Sequence, residues 1–303
     1  MNKRIGILVF GLIFIFLMVA YFAREDIKNL WQKTSPTPIH QDHIQITFLN
    51  IGQGDASFIE FQNGEQMLVD CSEDAKILEA LGRVMSFRDR TIDYLLITHP
   101  HTDHYGGCID VLKRYEVKNI IFTEYSHHMN PSVAALLDTI YQENAVLKEI
   151  RGEETWSVAS TTLHFLYPDA PAETHPVMND TPDNANNMSI VFLLQFGNEK
   201  VLFTGDAEAE VESYLIKKYG QMLDSDILKA GHHGSQTSSG DEFLKVVTPQ
   251  ITTISSGKGN EYGHPSLRTL KRLERVHSQI WRTDEKGDIL VQIFPDHHYV
   301  QNH

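Results

Sequence analysis

Cysteine is almost absent from this chain of 303 residues, which has only Cys71 and Cys108. Two thiols cannot make a zinc ribbon or the dense cross-links of a small secreted scaffold. They read as buried free thiols, with a single disulfide as the lesser alternative. Basic charge is also scarce: 26 Lys and Arg stand against 40 Asp and Glu, a formal net charge of −14. That balance argues against a protein that grips nucleic acid with a broad basic face. It leaves room for a hydrolase whose bound cations supply positive charge locally. Residues 168–188 contain four acids and neither Lys nor Arg. They read as a solvated loop, or alternatively as one that borders a site. No internal repeat is evident.

Charge is missing altogether from residues 5–23, IGILVFGLIFIFLMVAYFA. At about 1.5 Å per residue this run spans roughly the hydrocarbon core of a bilayer. It has no polar face, as a soluble core helix would, and it is longer than the apolar region of a cleaved signal. Residues 1–23 are therefore expected to be an uncleaved anchor, with 24–42 as a linker and 43–303 as the body. Basic residues flank the span almost evenly, so the positive-inside count decides little. A short basic head before one long apolar run resembles a signal anchor, which would leave the body outside the cytoplasm.

What the body does have is alternation. HIQITFLN, ASFIEF and MLVD read as strands, and 74–86 as a helix. DYLLIT, NIIFT, AVLKEI, SIVFLLQF, KVLFTGD, DILKAG and ITTISSG read as further strands, with final strands near 280 and 290. Helices are expected after HPHTDH to about Tyr115, then at 131–144, 208–219, 239–247 and 266–276. The stretch between AVLKEI and SIVFLLQF reads as a long polar loop. Such an order suits an α/β fold in which two sheets are sandwiched between helices.

Histidine is plentiful, at 16 residues, and it is concentrated. LLITHPHTDHYGG places His99, His101, Asp103 and His104 just behind an apolar strand and ahead of Gly106 and Gly107. His99 and His101 project to one side of extended backbone, and the glycines let the next helix come close. Imidazole nitrogen and carboxylate oxygen suit zinc, with manganese or iron as competitors. Four donors on so short a loop are easier to divide between two metals than to aim at one. Later strands end the same way: VLFTGD in Asp206, DILKAGHHGS in His232 and His233, and TTISSGKGNEYGHP in His264.

These motifs resemble those of the metallo-β-lactamase superfamily, and within it the domain appended to the DNA-uptake channel of competent bacteria, the ComEC type. FLNIGQGDASFIE, MLVDC, THPHTDHYGG, NNMSIVFLL, VLFTGDAE, LKAGHHGSQTSS, YGHPS and TDEKGDI carry the resemblance, over residues 43 to about 295. It implies an αββα sandwich with a dimetal site at one edge of the sheets. It also implies ligands: His99, His101 and His232 on one ion, Asp103, His104 and His264 on the other, and Asp206 bridging. Many relatives place a ligand histidine where this chain has Asn186 and Asn187, so His233 is an alternative to His232. Asp55, Asp70, Asn187 and Ser235 are expected to support the site, with turn stabilisation as the rival role for the two aspartates.

The chemistry implied is attack by a hydroxide held between two divalent ions, zinc or else manganese, with Asp103 and His233 as candidate catalytic groups. His233 would hydrogen-bond an oxyanion or protonate the leaving group, and Ser235 could serve the oxyanion. Diiron relatives that handle oxygen resemble H-x-E-x-D-H, so histidine at 101 favours hydrolysis. The expected substrate is a phosphodiester, either a small molecule or single-stranded DNA, with the negative charge favouring the small one. Hydrolysis of a lactone, thioester or β-lactam, or a non-catalytic metal-binding module, are the alternatives. No stable protein partner is expected, and membrane contact would be through residues 5–23.

Overall fold

The computed structural model describes residues 41–123, 131–172, 174–180 and 184–303. The expected span 5–23 and nearly all of the linker lie outside the described residues. Among the described residues no helix is long and apolar enough to cross a membrane.

One sheet contains β1 (Ile44–Phe48), β2 (Ser57–Glu60), β3 (Gln66–Val69), β4 (Thr91–Leu96), β5 (Glu116–Thr123), β6 (Val146–Ile150), β14 (Ile289–Ile293) and β15 (His298–Asn302). The other contains β7 (Glu154–Val158), β8 (Thr161–Tyr167), β9 (Val191–Phe196), β10 (Glu199–Phe203), β11 (Ile227–Lys229), β12 (Ile251–Ile254) and β13 (Gln279–Arg282). Their orders are β15-β14-β1-β2-β3-β4-β5-β6 and β13-β12-β11-β10-β9-β8-β7. The helices are α1 (Lys76–Val84), α2 (Thr102–Tyr105), α3 (Cys108–Arg114), α4 (Pro131–Gln142), α5 (Pro176–Asp180), α6 (Ala209–Tyr219), α7 (Asp241–Val247), α8 (Leu267–Arg275) and α9 (Thr283–Lys286).

Three apolar layers follow from the period-two alternation of the strands. Ile44, Ile46 and Phe48 meet Phe165, Phe192 and Phe203 between the sheets. Leu68, Leu95 and Ile120 face Ile77, Val111 and Leu136 of α1, α3 and α4. Leu202, Leu228 and Ile254 face Val211, Phe243 and Leu273 of α6, α7 and α8. The layering is helix, sheet, sheet, helix. Strands β3 to β6 pair in parallel, as do β10 to β13. The inner strands β4, β10, β11 and β12 among them are largely buried and apolar, as strands covered on both faces must be.

Three sequence expectations are corrected. The polar stretch after β6 is a hairpin, β7–β8, whose Val158, Leu163 and Phe165 enter the inter-sheet layer. Its turn uses Ala159 at a φ of 51° and not Gly or Asn, so the usual hairpin signal is missing. The single helix expected after HPHTDH is two, α2 and α3, broken at the Gly106–Gly107 pair. Finally, the cysteines are not free: Cys71 and Cys108 form a disulfide with Cα atoms 5.1 Å apart. Both are fully buried. The bond fastens the loop that leaves β3 to the first turn of α3. A Cβ on Gly107 would lie 2.3 Å from the Cys71 carbonyl oxygen, an approach only glycine permits.

The disulfide links positions 37 apart. Cross-linking a loop of that length removes about 4 kcal/mol of chain entropy from the unfolded state. Cys108→Ala, or reduction during unfolding, is expected to lower the free energy of unfolding by about that amount. Urea titrations with and without reductant measure the difference, and coincident curves would contradict the pairing.

Candidate metal centre

Asp206 is at the middle of the site. It follows β10, is almost completely buried, and is fixed by its backbone N–H, which donates to Ser189 Oγ at 2.9 Å. Four imidazole Nε2 atoms surround its carboxylate. His104 Nε2 is 3.3 Å from Oδ1; His233, His232 and His99 Nε2 are 3.4, 3.8 and 4.0 Å from Oδ2.

Each of those rings is aimed by what its Nδ1 touches. His104 Nδ1 donates to Asp70 Oδ2 at 2.8 Å, and Thr98 donates to the same carboxylate through N–H and Oγ–H, both at 2.8 Å. Burial pushes the Asp70 carboxyl upward. Three convergent donors are nonetheless what an ionised carboxylate accepts, so we assign it as ionised. Thr98 Oγ, having given its proton to Asp70, accepts from His99 Nδ1 at 3.1 Å. His232 Nδ1 donates to Glu208 Oε1 at 3.1 Å, and His233 Nδ1 to the Ser255 carbonyl at 3.2 Å. In all four cases the outer nitrogen is engaged by a fixed partner and the inner one faces Asp206, the orientation a metal-ligating histidine needs.

His232 and His233 reach this position through consecutive left-handed conformations, φ 49° and 52°. Such backbone costs on the order of 1–3 kcal/mol per residue and persists only where the surroundings enforce it. Asp103 enters from the N-terminal turn of α2, its Oδ2 3.1 Å from His233 Nε2.

Two groups of donors result, each with its ligand atoms within 4.8 Å of one another: His99, His101 and Asp206, and Asp55, His104, Asp206 and His233. Buried His99 Nε2, His104 Nε2 and Asp206 Oδ1 have no hydrogen-bond partner. Such atoms carry a large desolvation cost unless something binds them. They, and the His/Asp donor set, fit a pair of divalent cations.

The electrostatics agree. Burial, and then the charge on neighbouring His104, hold His99 well below its usual range and therefore neutral. Burial opposes charge on Asp206, but His233 and His104 outweigh it and keep the carboxyl well below its usual value. His104 and His233 move the other way: burial disfavours their cations, yet adjacent carboxylates raise both, His233 to about 10. The cluster attracts positive charge wherever a proton or a metal can supply it.

His264 is in neither group. Its ring is 5.4 Å from that of His232 and 6.4 Å from that of His233, with Asn260 bonded to its backbone on both sides. Burial, and then His232, push it down to about 4. Asp103 and His232 are outside both groups as well, and buried His264 Nδ1, which also has no hydrogen-bond partner, lines the cleft beside them. Ser235 points its hydroxyl at Thr237, 3.0 Å away, and braces the loop. Asn187 Oδ1 accepts the Glu208 N–H at 3.3 Å.

Two supporting residues escaped the sequence reading. Glu208, held to about 2 chiefly by its bond to His232, also accepts from Asn184, Asn186 and Thr237. Its place in VLFTGDAE was a signal. Lys229 is buried and donates to Asp55 Oδ2 at 2.7 Å and to the Ala230 carbonyl at 3.0 Å. Asp55 in turn donates its backbone N–H to the Asp103 carbonyl at 3.1 Å. A lysine at the end of the short buried strand β11 marked it. The site opens into a cleft of about 590 Å³ lined by Gln53, Glu73, His101, Asp103, Tyr262 and His264, among others.

A two-sheet α/β sandwich with a buried Asp and His centre suited to two metals defines the class. The profile of the Metallo-beta-lactamase superfamily matches residues 49–178 and 185–258, and the chain belongs to that superfamily. ComE operon protein 3 of Bacillus subtilis is 28% identical over 265 residues, 81% of this chain and 32% of that protein. Recombination protein 2 of Haemophilus influenzae is 28% identical over 310 residues, 99% of this chain and 34% of that one. The chain therefore spans about a third of these relatives, which represent the ComEC-type branch. CmlA, a diiron β-hydroxylase from Streptomyces venezuelae, shares the fold at a TM-score of 0.51 and 14% identity, over 86% of this chain and 54% of its own.

Asp70→Asn should weaken metal affinity about 10–100-fold, because the His104 ring loses the acceptor that orients it. Competition with a chromophoric chelator reads the change, and equal affinity would remove that role from Asp70. Lys229→Met should destabilise the fold by about 3–5 kcal/mol by leaving the buried Asp55 carboxylate without its lysine partner. Adding Asp55→Asn should recover part of that loss in the same denaturation assay.

Proposed function

We propose that the chain is a dimetal hydrolase of phosphodiester bonds, anchored in a membrane by residues 5–23 with its body outside the cytoplasm. The observation that carries the hydrolase reading is the inward set of Nε2 atoms around Asp206. His99, His101 and His232 would hold one ion and Asp103, His104 and His233 the other, with Asp206 shared. Zinc is proposed, and manganese fits the same donors. When bound, such ions make water acidic enough to ionise near neutral pH and offset negative charge on the reacting oxygens.

The remaining work falls to residues of the chain. Asp70, Glu208 and the Ser255 carbonyl keep the ligand rings oriented. His264 faces the cleft as a neutral imidazole, able to hydrogen-bond a substrate oxygen. Recombination is the process for which one relative is named, and this supports a phosphodiester over a carbonyl substrate. The disulfide supports an extracytoplasmic body, since such bonds persist in oxidising compartments.

The full chain should bind close to two zinc or manganese ions and turn over bis-p-nitrophenyl phosphate in preference to nitrocefin. Asp206→Ala should reduce that turnover by at least about a thousandfold, the scale of loss when charge stabilisation at the reacting centre fails. Turnover surviving in Asp206→Ala, or nitrocefin as the better substrate, would refute the reading. Protease treatment of intact cells should degrade the body; protection until lysis would reverse the topology.

A further inference from the structure

Away from the metal cleft, several basic residues gather on one helix. A groove of about 480 Å³ runs along α8, lined by Arg268, Lys271, Arg272 and Arg275 with Asp241 and Leu267. Asp241 pairs with Arg275 and lies 3.7 Å from Arg272. Arg272 also donates to the Gln236 and Ser238 carbonyls at 3.0 and 3.1 Å, which ties α8 to the loop that carries His232 and His233. Arg268 and Lys271 are exposed, and among the described residues no acid pairs with them. Their charges are unspent, in a protein whose formal net charge is −14.

The groove is also joined to the cleft along the chain. Helix α8 begins directly after His264 and Pro265, and Ser266, its capping residue, donates its backbone N–H to the Gly234 carbonyl at 2.9 Å. Tyr262 lines the cleft, 70% exposed, its ring stacked on that of His264 at 5.9 Å and 26°. Along the chain the exposed ring of Tyr262, His264 of the cleft and the cations Arg268 and Lys271 follow one another within ten residues, 262–271. Arg268 and Lys271, and Arg268 and Arg272, are one helical turn apart, about 5.4 Å along the axis.

We propose that the α8 groove is an exosite for the sugar–phosphate backbone of a single-stranded nucleic acid whose scissile bond lies in the cleft. The cut rests on the phosphodiester reading above; the binding does not. Exposed cations positioned in a groove contact phosphates without regard to sequence, and an exposed aromatic ring stacks an unpaired base. A duplex keeps its bases stacked inside and cannot use the ring. A free small phosphodiester fills the cleft without reaching α8. A bilayer meets a protruding face, and this one is concave. Glu261 on the cleft rim opposes the strand. The molecule's other acids are screened over a Debye length of about 8–10 Å, so the local row of cations outweighs the net charge.

The test uses the full, metal-loaded chain and a fluorescent phosphorothioate oligothymidylate of about 15 nucleotides, which binds without being consumed. Arg268→Ala/Lys271→Ala should weaken its binding at least about tenfold and lower the slope of log affinity against log salt by about 1.4, at about 0.7 for each phosphate no longer neutralised. Tyr262→Ala should weaken binding about tenfold, and Tyr262→Phe should restore it, since stacking needs only the ring. Turnover of bis-p-nitrophenyl phosphate by the double variant should match that of the unaltered chain. Unchanged oligothymidylate affinity in the double variant would overturn the proposal. So would a variant that loses only its binding to vesicles rich in phosphatidylglycerol, which would make α8 a membrane-facing surface. If the unaltered chain fails to hydrolyse bis-p-nitrophenyl phosphate while the double variant loses oligothymidylate affinity, the exosite stands and the hydrolase reading falls.

Discussion

Four histidines whose outer nitrogens each meet a fixed partner, and which so turn an inner nitrogen on one buried carboxylate, are the interaction on which the rest of the structure depends. Left to themselves, those nitrogens and Asp206 would be a heavy burden in a low-dielectric interior. The partners are of different kinds: the Asp70 carboxylate, the Thr98 hydroxyl, the Glu208 carboxylate and the Ser255 carbonyl. They come from the ends of strands in both sheets. The sandwich is therefore a device for bringing several strand ends to one point, and the point is where cations belong.

The fold resists the repulsion and strain collected there by ties that lie just behind the donors. The disulfide fastens the Asp70 loop to α3 while the Cys71 N–H donates to the His104 carbonyl at 2.6 Å. Lys229 anchors Asp55, and Asp55 anchors the backbone of Asp103. Thr269 of α8 donates to the Ser235 carbonyl at 2.7 Å, and Arg272 secures the two following turns. Each tie joins elements apart in sequence, and the Lys229–Asp55 pair joins the two sheets to each other.

This explains what could be read in advance. Strands buried on both faces announce themselves as apolar runs, so the β4, β9, β10, β11 and β12 segments were legible, and with them the donors Asp103, His104 and Asp206 that follow. The β7–β8 hairpin was not, because half its residues face solvent and its turn lacks Gly. His233 against His232 could not be decided either, and both approach Asp206. That convergence depends on two consecutive left-handed residues that turn both rings of GHHG inward, a backbone event with no compositional mark. Glu208 and Lys229 stood inside recognisable motifs, but a motif shows that a residue is present and not which ring or carboxylate it meets across the sheets. The cysteines illustrate the same limit: pairing is a matter of whether two loops approach within about 4–7 Å, which spacing along the chain does not reveal.

Net charge is the cruder guide for the same reason. A value of −14 describes a whole chain, whereas recognition takes place within about a Debye length of a surface. Helix α8 alone holds Arg268, Lys271, Arg272 and Arg275 against Glu274, beside a cleft whose own lining contains Glu73, Asp103, Asp206 and Glu261 among the described residues and no Lys or Arg. Such a cleft repels a phosphodiester until cations occupy it, and α8 attracts one at all times. The two fields, a few residues apart, divide the labour between holding an anion and reacting with it: affinity can come from the helix, while the centre around Asp206 is left to stabilise charge that appears only as the bond breaks.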